Sequence, residues 1–118
     1  MQALATSAER RGRFVRDLPG SGALHWGDGT IMMNANTIWL DGTISPGPDY
    51  RLYFAPELVD DGVGFLAIKA ESRQIGTVKT FENFALDLPP ALDLDEHDAV
   101  VIWCEAFKQF ITVARLEN

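Results

Sequence analysis

A chain of 118 residues, 47% apolar and 23% charged, fits one domain, and a domain of this size buries about two-thirds of its unfolded-chain surface. Seventeen acids against ten bases leave a formal charge of −7, which disfavours nucleic acid or an anionic membrane face as a partner. No apolar run approaches the roughly 20 residues of a membrane helix, and the start MQALATSAERRGRF holds no apolar stretch of signal-peptide type, so the expectation is a soluble chain without a membrane span.

In chain order, the first stretch is basic. Residues 1–16 carry four arginines against Glu9, a net +3, while the remainder carries −10. A solvated or frayed terminus is the simpler reading, and a juxtamembrane segment the sharper one. Residues 1–19 are therefore expected to be an N-terminal extension, in part ordered, ahead of a single β domain at 20–118. Residues 3–11 lack Gly and Pro and, with a turn near 56–59, are the only helical candidates.

After Pro19 the turn signals are dense: PGSG at 19–22, GDG at 27–29, NAN at 34–36, DG at 41–42, SPGPD at 45–49 and DDG at 60–62. Between them lie apolar or alternating segments at 23–26, 30–33, 37–40, 50–55, 65–70, 75–78, 84–88, 100–107 and 110–116. Short segments at such spacing predict an all-β fold, an antiparallel β-sandwich or flattened barrel of about eight to ten short strands with little helix. Alternation puts Tyr50, Leu52 and Phe54 on one face with Arg51 on the other. It likewise sets Phe110, Thr112, Ala114 and Leu116 against Ile111, Val113, Arg115 and Glu117. The two last segments are expected to form a hairpin with Lys108 and Gln109 at its turn.

Motifs mostly exclude chemistry. The chain holds no GxxxxGK, GxGxxG, GxSxG or HExxH string, and neither of its histidines, His25 and His97, stands beside a nucleophile motif, so hydrolase chemistry is not expected. The stretch LDLDEHDAV gathers Asp93, Asp95, Glu96 and Asp98, hard oxygen donors of the kind calcium takes. Counted from Asp93, however, position 6 is Asp98 where an EF-hand needs Gly, and position 12 is Cys104 where it needs Glu. A solvated acidic loop with no structural metal is the expectation.

The single cysteine, Cys104, excludes an internal disulfide, a CxxC pair and a multi-cysteine zinc site. On a strand through 100–107 it shares a face with Val100, Ile102 and Ala106, and Val101, Trp103, Glu105 and Phe107 share the other. Those apolar strand-mates describe a small buried hydrophobe with an inert thiol. A lone thiolate also serves as an axial haem ligand, and Trp103, Phe107 and Phe110 are the aromatic residues available to line a cofactor pocket.

Three strings, SPGPDYRLYFAP at 45–56, IGTVKTFENFALDLP at 75–89 and above all VVIWCEAFKQFITVARL at 100–116, resemble the DM-thirteen electron-transfer domain family. The resemblance covers roughly residues 20–116. It implies a small all-β domain whose signature cysteine, matched by Cys104, acts in redox chemistry as a free thiol or through a prosthetic group such as haem. It also implies an extracytoplasmic setting and a redox or envelope protein partner, because such domains occur beside DOMON domains in bacterial proteins and on animal cell surfaces. The chain as given carries no signal peptide or anchor for that setting. Two further classes fit the residues: a non-catalytic ligand- or protein-binding β-sandwich of the cell envelope, with function in its end loops, and a spacer or assembly unit. An electron-transfer or binding module is expected rather than a stand-alone enzyme.

Overall fold

The computed structural model describes residues 8–90 and 97–117. Among the described residues, eight strands form two antiparallel sheets. The first sheet has the order β1–β2–β3–β6, built from β1 (Arg10–Phe14), β2 (Gly27–Met33), β3 (Thr37–Ile44) and β6 (Ala85–Asp87). The second has the order β5–β4–β7–β8, built from β4 (Tyr50–Ala55), β5 (Arg73–Val78), β7 (Ala99–Cys104) and β8 (Gln109–Arg115). The all-β sandwich expected from the turn spacing is the fold that forms.

The main core lies between the sheets, where Ile31, Leu40 and Phe14 of the first meet Leu52, Phe54 and Ile102 of the second. A second cluster lies on the outer face of the second sheet, around Tyr53, Val101, Trp103 and Phe110, and is covered by Phe65. The alternation read for β4 holds. Tyr50, Leu52 and Phe54 point into the main core, and Tyr53 points into the outer cluster.

One edge of the sandwich is closed. Arg11 and Glu117 exchange two backbone hydrogen bonds of 2.8 Å each, tying β1 to the chain just beyond β8. Gly12 permits this approach, since a Cβ there would lie 2.2 Å from the Arg115 carbonyl oxygen.

Several segments differ from expectation, each for a local reason. The 65–70 segment is helical: α1 (Gly62–Ile68) runs into a 3-10 turn at Lys69–Glu71. Asp61 caps it, its Oδ1 accepting the Gly64 N–H at 2.7 Å. Phe65 and Ile68, three residues apart, face the outer cluster while Val63 and Leu66 face solvent. That is helical spacing inside a run too short to distinguish from a strand by pattern alone. The helix expected at 3–11 is corrected where it is described, because Arg10 and Arg11 begin β1, with Phe14 buried and Arg11 and Arg13 exposed in strand alternation. Residues 3–7 lie outside the described residues.

The glycine signals at 27–29 and 41–42 are not turns. Gly29 and Gly42 face each other across the β2–β3 ladder with φ of +142° and +156°, and a Cβ on Gly29 would come within 2.6 Å of the Gly42 Cα. Glycine here permits close backbone approach within a strand pair. The 23–26 segment is not a strand either, because Gly22 and His25 close a turn through reciprocal backbone bonds.

The last hairpin is shorter than expected. β7 stops at Cys104, and residues 105–108 form the turn, ending at Lys108 with φ +54°. A register shift at Ile102/Trp103 leaves Ile111 without a cross-strand partner. This bulge resets the faces of β8. Phe110 and Val113 join the outer cluster, Ile111 and Ala114 face the core, and Thr112 reaches Gly27 of the opposite sheet.

Candidate functional site

Cys104 closes β7 on its inward face and is 1% exposed. It sits on a rung that crosses the whole second sheet, with Val78 opposite Tyr50, Tyr50 opposite Cys104 and Cys104 opposite Gln109. The 45–49 loop lies over the Tyr50 ring so closely that a Cβ on Gly47 would be 2.2 Å from its Cε1. Phe81 meets the same ring edge-on with centroids 5.8 Å apart. The loop is tied down at both ends: Ser45 Oγ accepts the Trp26 N–H at 3.0 Å, and the Asp49 carbonyl accepts the Glu105 N–H at 2.9 Å.

The Tyr50 hydroxyl lies 3.2 Å from Ser45 Oγ. Burial raises this phenol above its ordinary value, the Ser45 hydrogen bond pulls it down, and the neighbouring Cys104 adds an upward push. Tyr50 and Cys104 thus form a sealed pair of oxidisable side chains at one corner of the core.

The aromatic residues expected to line a pocket are not brought to Cys104. Trp103 follows strand alternation to the outer face, and the bulge sends Phe110 there too. Both pack beneath α1, with the Phe65 and Trp103 rings 5.0 Å apart. Phe107 sits on the hairpin turn and is 65% exposed. Among the described residues no cavity opens beside the sulfur. A haem ligated by Cys104 would need an open face wide enough for the macrocycle, so the residues present do not fit that group.

The acidic stretch is only partly described, since Asp93, Asp95 and Glu96 lie outside the described residues. His97 and Asp98 serve the backbone. The His97 carbonyl accepts from Arg10 Nη1 at 3.1 Å, and the Asp98 N–H donates to the Ala55 carbonyl at 3.0 Å. No set of three metal-ligating side chains gathers among the described residues.

A polar group that sequence reasoning missed lies beside the outer cluster. Glu105 points away from Cys104 and accepts from Tyr53 Oη at 2.6 Å through Oε2 and from Lys69 Nζ through Oε1, with Lys108 Nζ at 3.8 Å. Burial pushes Glu105 up, but the hydrogen bonds from Lys69 and Tyr53 and the charges of Lys69 and Lys108 outweigh it and hold the carboxyl at about 2. The Tyr53 phenol is raised by burial and by that hydrogen bond. The only sequence signal was a charged residue directly after an apolar strand.

A carboxyl lower in the folded than in the unfolded state adds stability above its ordinary value, and that stability is lost as pH falls through the folded one. Acid titration of the folded protein from pH 4.5 toward 2 should therefore lose on the order of 1 to 2 kcal/mol that Glu105→Gln does not lose. Denaturant unfolding at stepped pH measures it, and parallel curves for the two proteins would contradict the pairing.

Compared with known proteins, the chain matches none of the curated proteins and none of the solved structures. A family model described as "Electron transfer DM13" matches residues 19–116, a span that takes in the whole Cys104 rung and the outer cluster. With far more than half of its length inside that match, the chain belongs to the DM13 electron-transfer family.

Proposed function

We propose that this domain is an electron-transfer module whose redox group is the Cys104 thiol. The observation that carries the reading is a convergence: the strings around Tyr50, Val78 and Cys104, far apart in the chain, meet on one rung of the sheet. A segment packed only for stability has no need to bring its one thiol against its most enclosed phenol. The sealing of the sulfur also selects a mode of action. Bond formation with another thiol needs contact and hence local opening, whereas electron exchange across a thin layer of protein does not. The sulfur gives up one electron to a strongly oxidising external one-electron acceptor and its S–H proton to solvent water, and regains both on return. A strong photogenerated one-electron oxidant should produce a sulfur-centred radical in the purified domain that Cys104→Ser lacks.

A second reading rests on a different observation. Val63 and Leu66 on α1, the helix that covers the outer face of the second sheet, are exposed, Val63 at 81%, and Phe107 is exposed on the β7–β8 turn. Large apolar side chains left in water on a small domain favour a protein-binding module. Replacing Val63 and Phe107 by Ser leaves the Cys104 couple intact under the first reading and weakens attachment to a protein partner under the second.

A further inference from the structure

The protein's two tyrosines end in different chemistry. Tyr50 meets a neutral hydroxyl, Ser45 Oγ. Tyr53 meets the ionised carboxylate of Glu105 at 2.6 Å. The Gln74 Oε1 atom, 3.2 Å from the same phenol oxygen, competes for one proton, and the closer, charged acceptor takes it. Tyr53 is 5% exposed. Its ring meets Phe65 at 5.2 Å, and Phe65 meets Trp103 at 5.0 Å, so a continuous run of rings leads from the phenol to β7.

A phenol that loses one electron becomes a strong acid. In an apolar setting the resulting cation is costly unless its proton leaves at once for a base already in place. Among the described residues, Tyr53 has such a base and Tyr50 does not. We propose that Tyr53 and Glu105 form a proton-coupled redox pair, a second redox site on the outer face of the sheet. Tyr53 gives one electron to an outer-sphere one-electron oxidant while its phenolic O–H bond breaks and an O–H bond forms on Glu105 Oε2. The products are a neutral tyrosyl radical and a neutral carboxylic acid, and return of the electron sends the proton back. Lys69, bound to the other carboxylate oxygen, holds Glu105 ionised and aimed at the phenol before the electron leaves.

This site stands without Cys104, and the two are separable because a tyrosyl and a sulfur-centred radical differ in their spectra and each is lost in a different variant. The test uses the whole chain with a photogenerated ruthenium(III) polypyridyl oxidant, electron paramagnetic resonance to identify the radical and transient absorption to time its formation. The expected result is a neutral tyrosyl signal in the wild type, in Tyr50→Phe and in Cys104→Ser, and its loss in Tyr53→Phe. Formation should be slower in deuterated water. In Glu105→Gln, which keeps an acceptor atom but not the base, it should slow by about a hundredfold, the low side of what a positioned base supplies. A tyrosyl signal of full size in Tyr53→Phe would overturn the proposal. Equal rates and equal isotope effects in the wild type and Glu105→Gln would overturn it as well.

Discussion

Replacing Ile102 with alanine is expected to lower the stability of the domain by about 2 to 5 kcal/mol. Ile102 lies on β7, an interior strand of its sheet, paired with Leu52 on β4 and Thr112 on β8. Its side chain points into the core between the sheets and has no exposed surface. Truncation removes buried methyl and methylene groups at a place where both flanking strands are held by ladders, so the cavity cannot easily collapse. Against a total of about 5 to 15 kcal/mol for a domain of ordinary stability, this is a large share. Denaturant unfolding should show a lower midpoint with an unchanged slope. Phe107→Ala, on the exposed turn, should stay within about 0.5 kcal/mol. A loss below about 1 kcal/mol at Ile102 would contradict its placement in the core.

The second large effect concerns access to the sulfur. Cys104 is buried in the main core beside Tyr50, whose ring is in turn covered by the 45–49 loop at Gly47. A thiol reagent therefore reaches it only after the corner opens, and opening a buried strand end costs a sizeable fraction of the global stability. Native protein at neutral pH should label at least about a hundredfold more slowly than denatured protein. Gly47→Ala, which forces the loop off the ring, should speed native labelling, whereas Phe107→Ala should not. Fast labelling of the native wild type would mean an exposed thiol.

These two residues also show how far the chain is legible without its fold. Strand alternation alone placed Ile102 and Cys104 on one face and Trp103 on the other, because a period of two survives in any sheet that buries both faces. The same rule failed on β8, where the bulge at Ile111 shifts the phase, and a bulge leaves no mark in a run of apolar residues. The 65–70 run was ambiguous for a related reason. Only the contact of Phe65 and Ile68 with Trp103 and its neighbours, and the Asp61 cap, decide for a helix. Gly29 and Gly42 carry turn composition yet sit face to face inside a ladder, which becomes visible only once the strands are paired.

The candidate site divides in the same way. Cys104 stood out by being the single cysteine, and its string carried the family resemblance. What surrounds it was hidden, because Tyr50 is 54 residues away in the chain and meets it only through the β4–β7 register. The Tyr53–Glu105 pair spans 52 residues and was hidden likewise.

The most direct measurement of the central claim is one-electron oxidation of the folded domain by a strong photogenerated oxidant, with electron paramagnetic resonance to identify the radical, wild type against Cys104→Ser. The variant keeps the strand and places a hydroxyl where the thiol was, at about 1 to 3 kcal/mol for a buried polar group without a partner, so it is compared at a temperature where both proteins are folded. The account predicts a sulfur-centred radical in the wild type and none in the variant. The same radicals in both, with no sulfur-centred component in the wild type, would contradict it and take the redox role away from Cys104.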